Sequence, residues 1–413
     1  MIPTIAKRLV FHIGGFDPFT PHEGARRRFV RELGRFERTW SASASVGPVN
    51  AGPDETSWPV VTTGPDWRVE TDYRIVRWDD VIQRLSHQPV WRRAALGVAA
   101  FVDFVAGGAL LRYLRTSWQY AAFFLYPFVV SAVLLTLAGL FGALVRYLSQ
   151  SFWAGAVTGV AVGAALLFAA GRWLSITTLF DDWIFSYSYI HHGHSNLDAR
   201  LERVAHEIVA AARDAKADEI LVIGHSLGAV LAVDMLDRAL KIDPRLGTAG
   251  TRVTFLSIGS SVLKIGLHRG ATRFRAAVAR LAAAPGVFWG DYQARSDVMN
   301  FCVADPVGEM GLARTASPVV RLVKIRNMLE RAVYRRIRTR LFRLHCQFIS
   351  GNDRRAPYDY FMLMCGPYSA EHQTMAPDGA MSMIAQNGGL LAPQPVPGPD
   401  APVHAPPREA RCG

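Results

Sequence analysis

Residues 219–232 read Glu219-Ile-Leu-Val-Ile-Gly-His-Ser-Leu-Gly-Ala-Val-Leu-Ala232 and place a Gly-x-Ser-x-Gly pentapeptide between two apolar segments. Ile220–Ile223 predict a short buried strand, and Leu227–Leu240 have apolar residues at helical spacing with no helix breaker. A serine in a sharp turn between such a strand and helix exposes its hydroxyl at the edge of a sheet. The stretch therefore predicts an α/β sheet with a nucleophile at Ser226.

The residues around the serine suit this chemistry. Gly224 and Gly228 lack side chains where strand and helix crowd each other, so the chain can hold Ser226 in a strained conformation. The N–H of Leu227, which opens the helix, is free to bind a developing oxyanion. A serine is a poor nucleophile until an imidazole takes its proton, and the imidazole needs a carboxylate to fix its tautomer.

The chain resembles the α/β-hydrolase superfamily, in particular its lipase-like serine hydrolases. Beside the serine motif, the segment Arg8-Leu-Val-Phe-His-Ile-Gly-Gly-Phe-Asp-Pro18 is similar to the strand and glycine turn that supply a second oxyanion-hole N–H, from Gly15 or Phe16. The segment Val298–Val307 ends in an Asp-Pro step, where the family has its acid. The resemblance implies the order Ser, Asp, His along the chain and a mostly parallel sheet with helices on both faces.

The acid is expected at Asp305, because it directly follows a predicted strand at 299–304 and Pro306 favours an extended conformation before it. Asp291 and Asp297 are the alternatives. Both precede that strand, so they are interpreted as loop or capping residues.

Three histidines follow this segment. His345 stands among apolar residues at the end of a basic segment and is the preferred base; His372, in a more polar setting, is the alternative. His404 lies in a proline-rich tail and is set aside. His12 is interpreted as a structural residue, because the family's base follows its nucleophile.

Two uncharged segments, 120–145 and 152–171, interrupt the hydrolase-like sequence and predict a transmembrane hairpin. Each can cross a bilayer core of ~30 Å, which needs about 20 residues. Gly155, Gly159 and Gly163 leave one face of the second helix almost bare, so another helix can pack closely there. Its partner is either the first helix of the hairpin or, in a homodimer, a second copy.

A third apolar stretch, Ala94–Leu111, contains Asp103 and is flanked by arginines. The glycine turn and Ser226 belong to one sheet, so the chain between them crosses the membrane an even number of times. The third stretch is therefore expected to lie along the interface or to pack on the domain. Only Arg146 lies in the hairpin loop, which predicts a catalytic domain on the cytoplasmic side. The abundance of arginine over lysine is typical of GC-rich bacterial genomes and suggests a bacterial inner membrane.

Composition is consistent with this interpretation. The chain has 413 residues, is 50% hydrophobic and has a net charge of +12. No nucleic-acid module accompanies the basic excess, and Arg314–Arg343 predict either attachment to anionic lipid or a solvated helix face. The four cysteines lack metal-type spacing. No cofactor or metal is predicted; His191-His-Gly-His194 has only Asp198 nearby as a further ligand.

The predicted domains are 1–90 and 174–384 for the hydrolase, 91–173 for the membrane-associated insertion and 385–413 for a disordered tail. Ser41–Pro65 predict a loop or lid. Strands are expected near 7–13, 72–77, 220–224, 252–258 and 299–304; helices near 24–38, 197–215, 227–241, 270–284 and 318–341. The preferred function is a membrane-anchored serine hydrolase that cleaves an ester or thioester, and a lipidic substrate is expected. A non-catalytic scaffold and an acyltransferase using the same serine are the alternatives.

Overall fold

The structure is a computed structural model that describes residues 3–17, 22–173 and 176–391. In these residues the strands are β1 (Lys7–Ile13), β2 (Ser43–Val46), β3 (Asn50–Ala51), β4 (Glu55–Thr63), β5 (Arg68–Val76), β6 (Glu219–His225), β7 (Arg252–Ile258), β8 (Val287–Gln293) and β9 (Val319–Leu322). The helices are α1 (His22–Trp40), α2 (Asp79–Ser86), α3 (Val90–Ala106), α4 (Ala109–Thr116), α5 (Trp118–Ser149), α6 (Phe152–Trp173), α7 (Ile176–His191), α8 (Ser195–Asp214), α9 (Gly228–Ile242), α10 (Val262–Gly266), α11 (Thr272–Ala283), α12 (Ile325–Met328), α13 (Arg331–Ile337), α14 (Leu341–His345), α15 (Tyr360–Cys365) and α16 (Ala370–Met375).

The strands form one mixed sheet in the order β2-β4-β5-β1-β6-β7-β8-β9, with β3 paired to β4. The strands from β5 to β9 in this order are parallel to their neighbours. The strands β2, β3 and β5 pair with β4 in antiparallel fashion. The predicted fold class, a mostly parallel α/β sheet with helices on both faces, is confirmed.

The central strand β6 is buried along its whole length because both of its faces are covered. Ile220 and Val222 point into one hydrophobic cluster, which is shared with α8, α9 and α11. Leu221 and Ile223 point into the opposite cluster, which is shared with α1 and α15. Successive side chains of a strand alternate between faces, so the unbroken apolar run in the sequence reflects a strand buried on both sides.

The helices α5 and α6 form a hairpin, and both are long and apolar enough to cross a membrane. They pack on each other through backbone: a Cβ on Gly155 would lie 2.6 Å from the carbonyl oxygen of Gly142, and one on Gly142 would lie 2.7 Å from that of Gly155. The glycine face of α6 is thus occupied by α5, the first of its two expected partners. The homodimer stays a prediction.

The third apolar stretch packs on the hydrolase domain. It forms α3 and α4, which are bent by 69° at their junction. The Arg112 guanidinium donates to the Leu267 carbonyl at 2.8 Å and the Tyr113 hydroxyl to the Lys264 carbonyl at 2.6 Å. The Arg93 guanidinium pairs with the buried Asp181 of α7. Of the two expected positions for this stretch, the structure shows packing on the domain.

Several predicted elements are wrong. The loop expected at 41–65 contains β2, β3 and β4, because alternate side chains such as Trp58 and Val60 are buried although the composition is typical of a loop. The strand expected at 299–304 is irregular, and β8 lies upstream of it. The helix expected at 318–341 is divided into β9, α12 and α13.

The first residues of the expected tail, 385–391, contact the folded domain. The indole N–H of Trp67 donates to the Gly388 carbonyl at 2.7 Å, and the Leu390 amide donates to the Asp66 carboxylate at 2.9 Å. Residues 385–391 therefore dock against the turn between β4 and β5. Residues 392–413, including His404, lie outside the described residues.

Candidate active site

Ser226 occupies the turn between β6 and α9 and has a φ of +54°. This left-handed conformation is unfavourable for a residue with a side chain and persists only when its surroundings hold it in place. The Ser226 amide donates to the Ile258 carbonyl, while its own carbonyl accepts from the amides of Ala229 and Ser261, each at 3.1 Å. These contacts fix the backbone and leave the half-buried side chain at the carboxyl end of the sheet.

Glycines allow the turn after β1 to approach the serine. A Cβ on Gly15 would lie 2.8 Å from the Ser226 Cβ and 3.3 Å from its Oγ, and a Cβ on Gly228 would lie 2.2 Å from the Ile13 carbonyl oxygen. The predicted oxyanion-hole residues Gly15, Phe16 and Leu227 therefore meet around Ser226. No backbone hydrogen bond between described residues uses their three N–H groups.

His345 pairs with Asp297. The Nδ1 atom of His345 lies 2.6 Å from the Asp297 Oδ2, and both side chains are buried. The second carboxylate oxygen of Asp297 accepts from the Met299 amide. With its proton on Nδ1 toward the carboxylate, the imidazole has an unprotonated Nε2, and this buried atom has no hydrogen-bond partner among the described residues.

The prediction that Asp305 is the partner of the histidine is corrected by the structure, because Asp305 does not reach His345. It forms an ion pair with Arg314 at 2.9 Å and accepts from the Val307 amide. The reason is the position of the strand: β8 ends at Gln293, so the loop at the edge of the sheet contains Asp297. The sequence did contain a signal for the strand β8, because the apolar run Val287–Trp289 follows a predicted helix.

The other candidates have different surroundings. Asp291 lies within β8, where it accepts from the Ser257 hydroxyl and the Gln293 side chain, and burial raises its pKa to about 6. His372 bonds through Nδ1 to the Ser369 hydroxyl at the start of α16 and does not line the cavity that contains Ser226. Of the two histidines, His345 lines the cavity that contains Ser226 and His372 does not.

His12 ends a chain of buried polar groups. Its Nδ1 lies 3.1 Å from the Tyr360 hydroxyl, which lies 3.0 Å from the Tyr73 hydroxyl. Burial, and then the charge of Arg28, lowers the pKa of His12 to about 3, so the ring is neutral. If Tyr73 donates to Tyr360 and Tyr360 to Nδ1, both hydroxyl protons are satisfied, and the ring proton is on Nε2. The opposite direction would leave the Tyr73 proton without an acceptor in an aromatic cluster.

Ser226 and His345 line one cavity of about 1000 Å³. Its wall includes side chains from α1, α13, α14 and α15 and from the strands β4 and β5. Most of these side chains are apolar: Phe29, Trp58, Val333, Ile337, Phe342 and Phe361. The lining also includes charged side chains: Asp17, Arg28, Arg31, Glu32, Arg35, Arg77, Asp79 and Arg343. A cavity of this size is typical of sites that bind small organic molecules.

A second cluster of titratable residues lies outside this cavity, at Asp103, His191 and His268. The Asp103 carboxylate lies 3.0 Å from the Nε2 atoms of both histidines. The Gly270 amide donates to the Nδ1 of His268, so the proton of this neutral ring is on Nε2 and points toward Asp103. A metal ligand needs a free lone pair on that nitrogen. As arranged, the cluster joins α3 and α7 to the segment after α10 by hydrogen bonds.

A scan against family models matches residues 147–395 to the alpha/beta hydrolase family. The match covers more than half of the chain and includes Ser226, Asp297 and His345. The chain therefore belongs to the alpha/beta hydrolase family. Searches of curated proteins and of solved structures found no match.

The close approach of two backbones at Gly228 is testable. We expect Gly228→Ala to lower the apparent Tm of the solubilised protein by a few degrees or to prevent folding, because the new Cβ would meet the Ile13 and Gly14 carbonyl oxygens at 2.2 and 2.4 Å. Overpacking of this kind costs ~1–3 kcal/mol. Thermal unfolding measures the effect.

The matched control is Gly34→Ala in α1, where the nearest atoms are the ends of flexible side chains at 3.8 and 3.9 Å. Alanine favours a helix over glycine by ~1 kcal/mol, so the apparent Tm should stay the same or rise. Equal effects at the two positions would contradict the close approach inferred at Gly228.

Proposed function

We propose that this protein is a membrane-anchored serine hydrolase that cleaves an ester or thioester. One observation carries the proposal: a strained, backbone-fixed Ser226 shares a cavity with His345, whose Nδ1 is held by Asp297 and whose buried Nε2 has no partner among the described residues. A neutral imidazole with a free, oriented nitrogen is the group that a serine nucleophile requires.

In the proposed mechanism, the Ser226 Oγ attacks the substrate carbonyl while its proton moves to the His345 Nε2. The Asp297 carboxylate accepts a hydrogen bond from the Nδ1–H of His345 throughout and stabilises the imidazolium. The negative charge on the carbonyl oxygen is stabilised by the N–H groups of Leu227 and of the Gly15–Phe16 turn. The imidazolium then returns its proton to the leaving alcohol or thiol, and water releases the acyl group by the same steps.

The apolar part of the cavity favours an acyl chain as one portion of the substrate. The aromatic and aliphatic side chains of α1, α13 and α14 can remove a chain of several carbons from water, at about 0.8 kcal/mol for each buried methylene group. A lipidic ester or thioester combines such a chain with the carbonyl that Ser226 attacks.

The α5–α6 hairpin is the proposed membrane anchor. Each helix contains an apolar stretch long enough to cross a membrane, and few residues of that stretch are buried inside the protein. The strands β1 and β6 are direct neighbours in the sheet, so the chain between them must return to the side from which it left. If both helices cross, only residues 146–151, at the end of α5 and in the short connection to α6, reach the far side.

Arginines near the cavity support contact with anionic lipid. On α13, Val333 and Ile337 line the cavity while the arginines of the same segment point to solvent. The exposed basic residues are Arg331, Arg335, Arg336, Arg338 and Arg340. Each basic residue close to an anionic membrane surface contributes ~1 kcal/mol to binding.

We expect Ser226→Ala to abolish ester hydrolysis and labelling by a fluorophosphonate probe, because the probe reacts with an activated serine. Loss of the nucleophile removes several powers of ten in rate but only one hydroxyl from the fold. The exposed Ser195→Ala is the control and should label like the wild type. A wild-type protein that never labels would favour the non-catalytic scaffold.

Substitution of Asp297 and of Asp305 tests which carboxylate assists His345: Asp297, which the structure pairs with it, or Asp305, which the sequence predicted. Asp297→Asn should reduce the rate of fluorophosphonate labelling by about 10⁴-fold, because the wrong histidine tautomer is then favoured. Asp305→Asn should keep a rate near that of the wild type, since Asp305 contacts Arg314 and the Val307 amide and does not reach His345. A larger effect at Asp305 would mean that the active conformation differs from the one described.

The hairpin predicts a topology. The protein should resist alkaline carbonate extraction, and after removal of the native cysteines the Ser149→Cys variant should react with an impermeant thiol reagent in intact cells. The Asn196→Cys variant, at an exposed position on α8, should react only after lysis, because the single basic residue of the hairpin loop favours a cytoplasmic hydrolase domain. Release by carbonate would rule out the anchor, and reaction of Asn196→Cys in intact cells would invert the orientation.

A further inference from the structure

One wall of the catalytic cavity has a cation that the proposed chemistry does not use. Arg28 of α1 lines the cavity with Ser226 and His345, and its side chain is 28% exposed. Its nearest described carboxylate oxygen, on Asp17, is 3.9 Å away. After burial, the charge of Arg28 contributes to the lowered pKa of His12. It makes a smaller contribution to the lowered pKa of His225, after burial and the charges of His345 and His12. The guanidinium therefore acts on the interior of the site, where it contacts the Cys346 side chain, and it has no close carboxylate partner among the described residues.

The other arginines of α1 on this cavity are engaged. Arg31 binds the Glu32 carboxylate at 2.9 Å, and Arg35 binds Glu32 at 3.0 Å and Asp353 at 2.5 Å. Glu32 also accepts from the Gly351 amide. Its two oxygens are therefore occupied and do not neutralise Arg28.

Neutral donors line the same cavity. The indole N–H of Trp58 is buried and has no hydrogen-bond partner among the described residues, although the side chain is only 1% exposed. The Nε2–H of His12, assigned above from the direction of the tyrosine chain, is a second donor on this wall. An unpaired buried donor costs free energy, and a ligand rich in acceptors would satisfy it.

We propose that the substrate is an anionic ester or thioester, with a carboxylate or phosphate group that Arg28 binds inside the cavity. This inference rests on the proposed function. The guanidinium presents several N–H donors that match the oxygens of such a group, and charge-assisted hydrogen bonds of this kind are about twice as strong as neutral ones. The apolar wall accommodates the remainder of the substrate.

The experiment uses two pairs of matched esters and compares kcat/KM within each pair. Mono-para-nitrophenyl adipate and para-nitrophenyl hexanoate differ by a carboxylate at the end of the acyl chain. Para-carboxyphenyl hexanoate and para-carbamoylphenyl hexanoate differ by a carboxylate on the leaving alcohol. Rates are divided by those of hydroxide hydrolysis, so the preference for charge is separated from intrinsic reactivity. The two pairs show on which side of the ester the anion lies.

In the wild type, the anionic ester should be preferred in one pair. Arg28→Gln should reduce that preference by about tenfold or more, the size expected for a lost charge-assisted hydrogen bond, and Arg28→Lys should retain part of it. The control is Arg27→Gln, on an exposed neighbour of the same helix that does not line the cavity. It should keep the wild-type preference.

The outcomes separate the two proposals. Hydrolysis of all four esters by the wild type without any anionic preference would overturn the role of Arg28 and leave the hydrolase proposal intact. An equal loss of preference in Arg27→Gln would show a general effect of surface charge and also overturn it. Absence of both hydrolysis and fluorophosphonate labelling in the wild type would instead reject the hydrolase function. If Arg28→Gln fails to fold, the wild-type preference and Arg28→Lys still decide.

Discussion

The close contact between two backbone turns determines the site. The turn after β1 and the turn after β6 meet with no space for side chains, as the positions of Gly15 and Gly228 show. This contact depends on β1 and β6 being adjacent parallel strands whose carboxyl ends lie at one edge. It brings the N–H groups of the first turn to the serine of the second, and it holds Ser226 in a conformation that an isolated turn would not keep. The hydrophobic clusters on both faces of the sheet supply the rigidity.

The parts of the fold that were predicted are those in which a local pattern is sufficient. The strand at 252–258 and the strand-turn-helix around Ser226 follow from apolar runs, periodicity and glycine spacing. The serine and His345 were identified by the motif and by position along the chain. In each case the necessary information lies within a few residues of sequence, or in the order of motifs.

The parts that were not predicted depend on contacts between distant segments. The strand β4 has Ser, Pro and Thr among its residues and is a strand because Trp58 and Val60 are buried beneath α1. The carboxylate that pairs with His345 was not predicted because the apolar residues of 299–304 are buried in irregular structure, while β8 includes Gly290 and Asp291, which weaken its strand signal. One displaced strand was enough to move the predicted partner of His345 from Asp297 to Asp305, since this partner was located relative to that strand.

The insertion is connected to the hydrolase domain by polar groups that an independent membrane domain would not need. Asp103 is the clearest example, because a carboxylate in a lipid-exposed helix is costly, yet here it accepts from His191 and lies 3.0 Å from the Nε2 of His268. The Arg93 guanidinium of α3 likewise pairs with the buried Asp181 of α7. Truncating one partner of such a buried pair leaves the other charge uncompensated, so α3 and α4 are held on the domain while the α5–α6 hairpin extends from it. The helices α3 and α4 thus belong energetically to the domain that contains the sheet, and the α5–α6 hairpin begins where these polar contacts end.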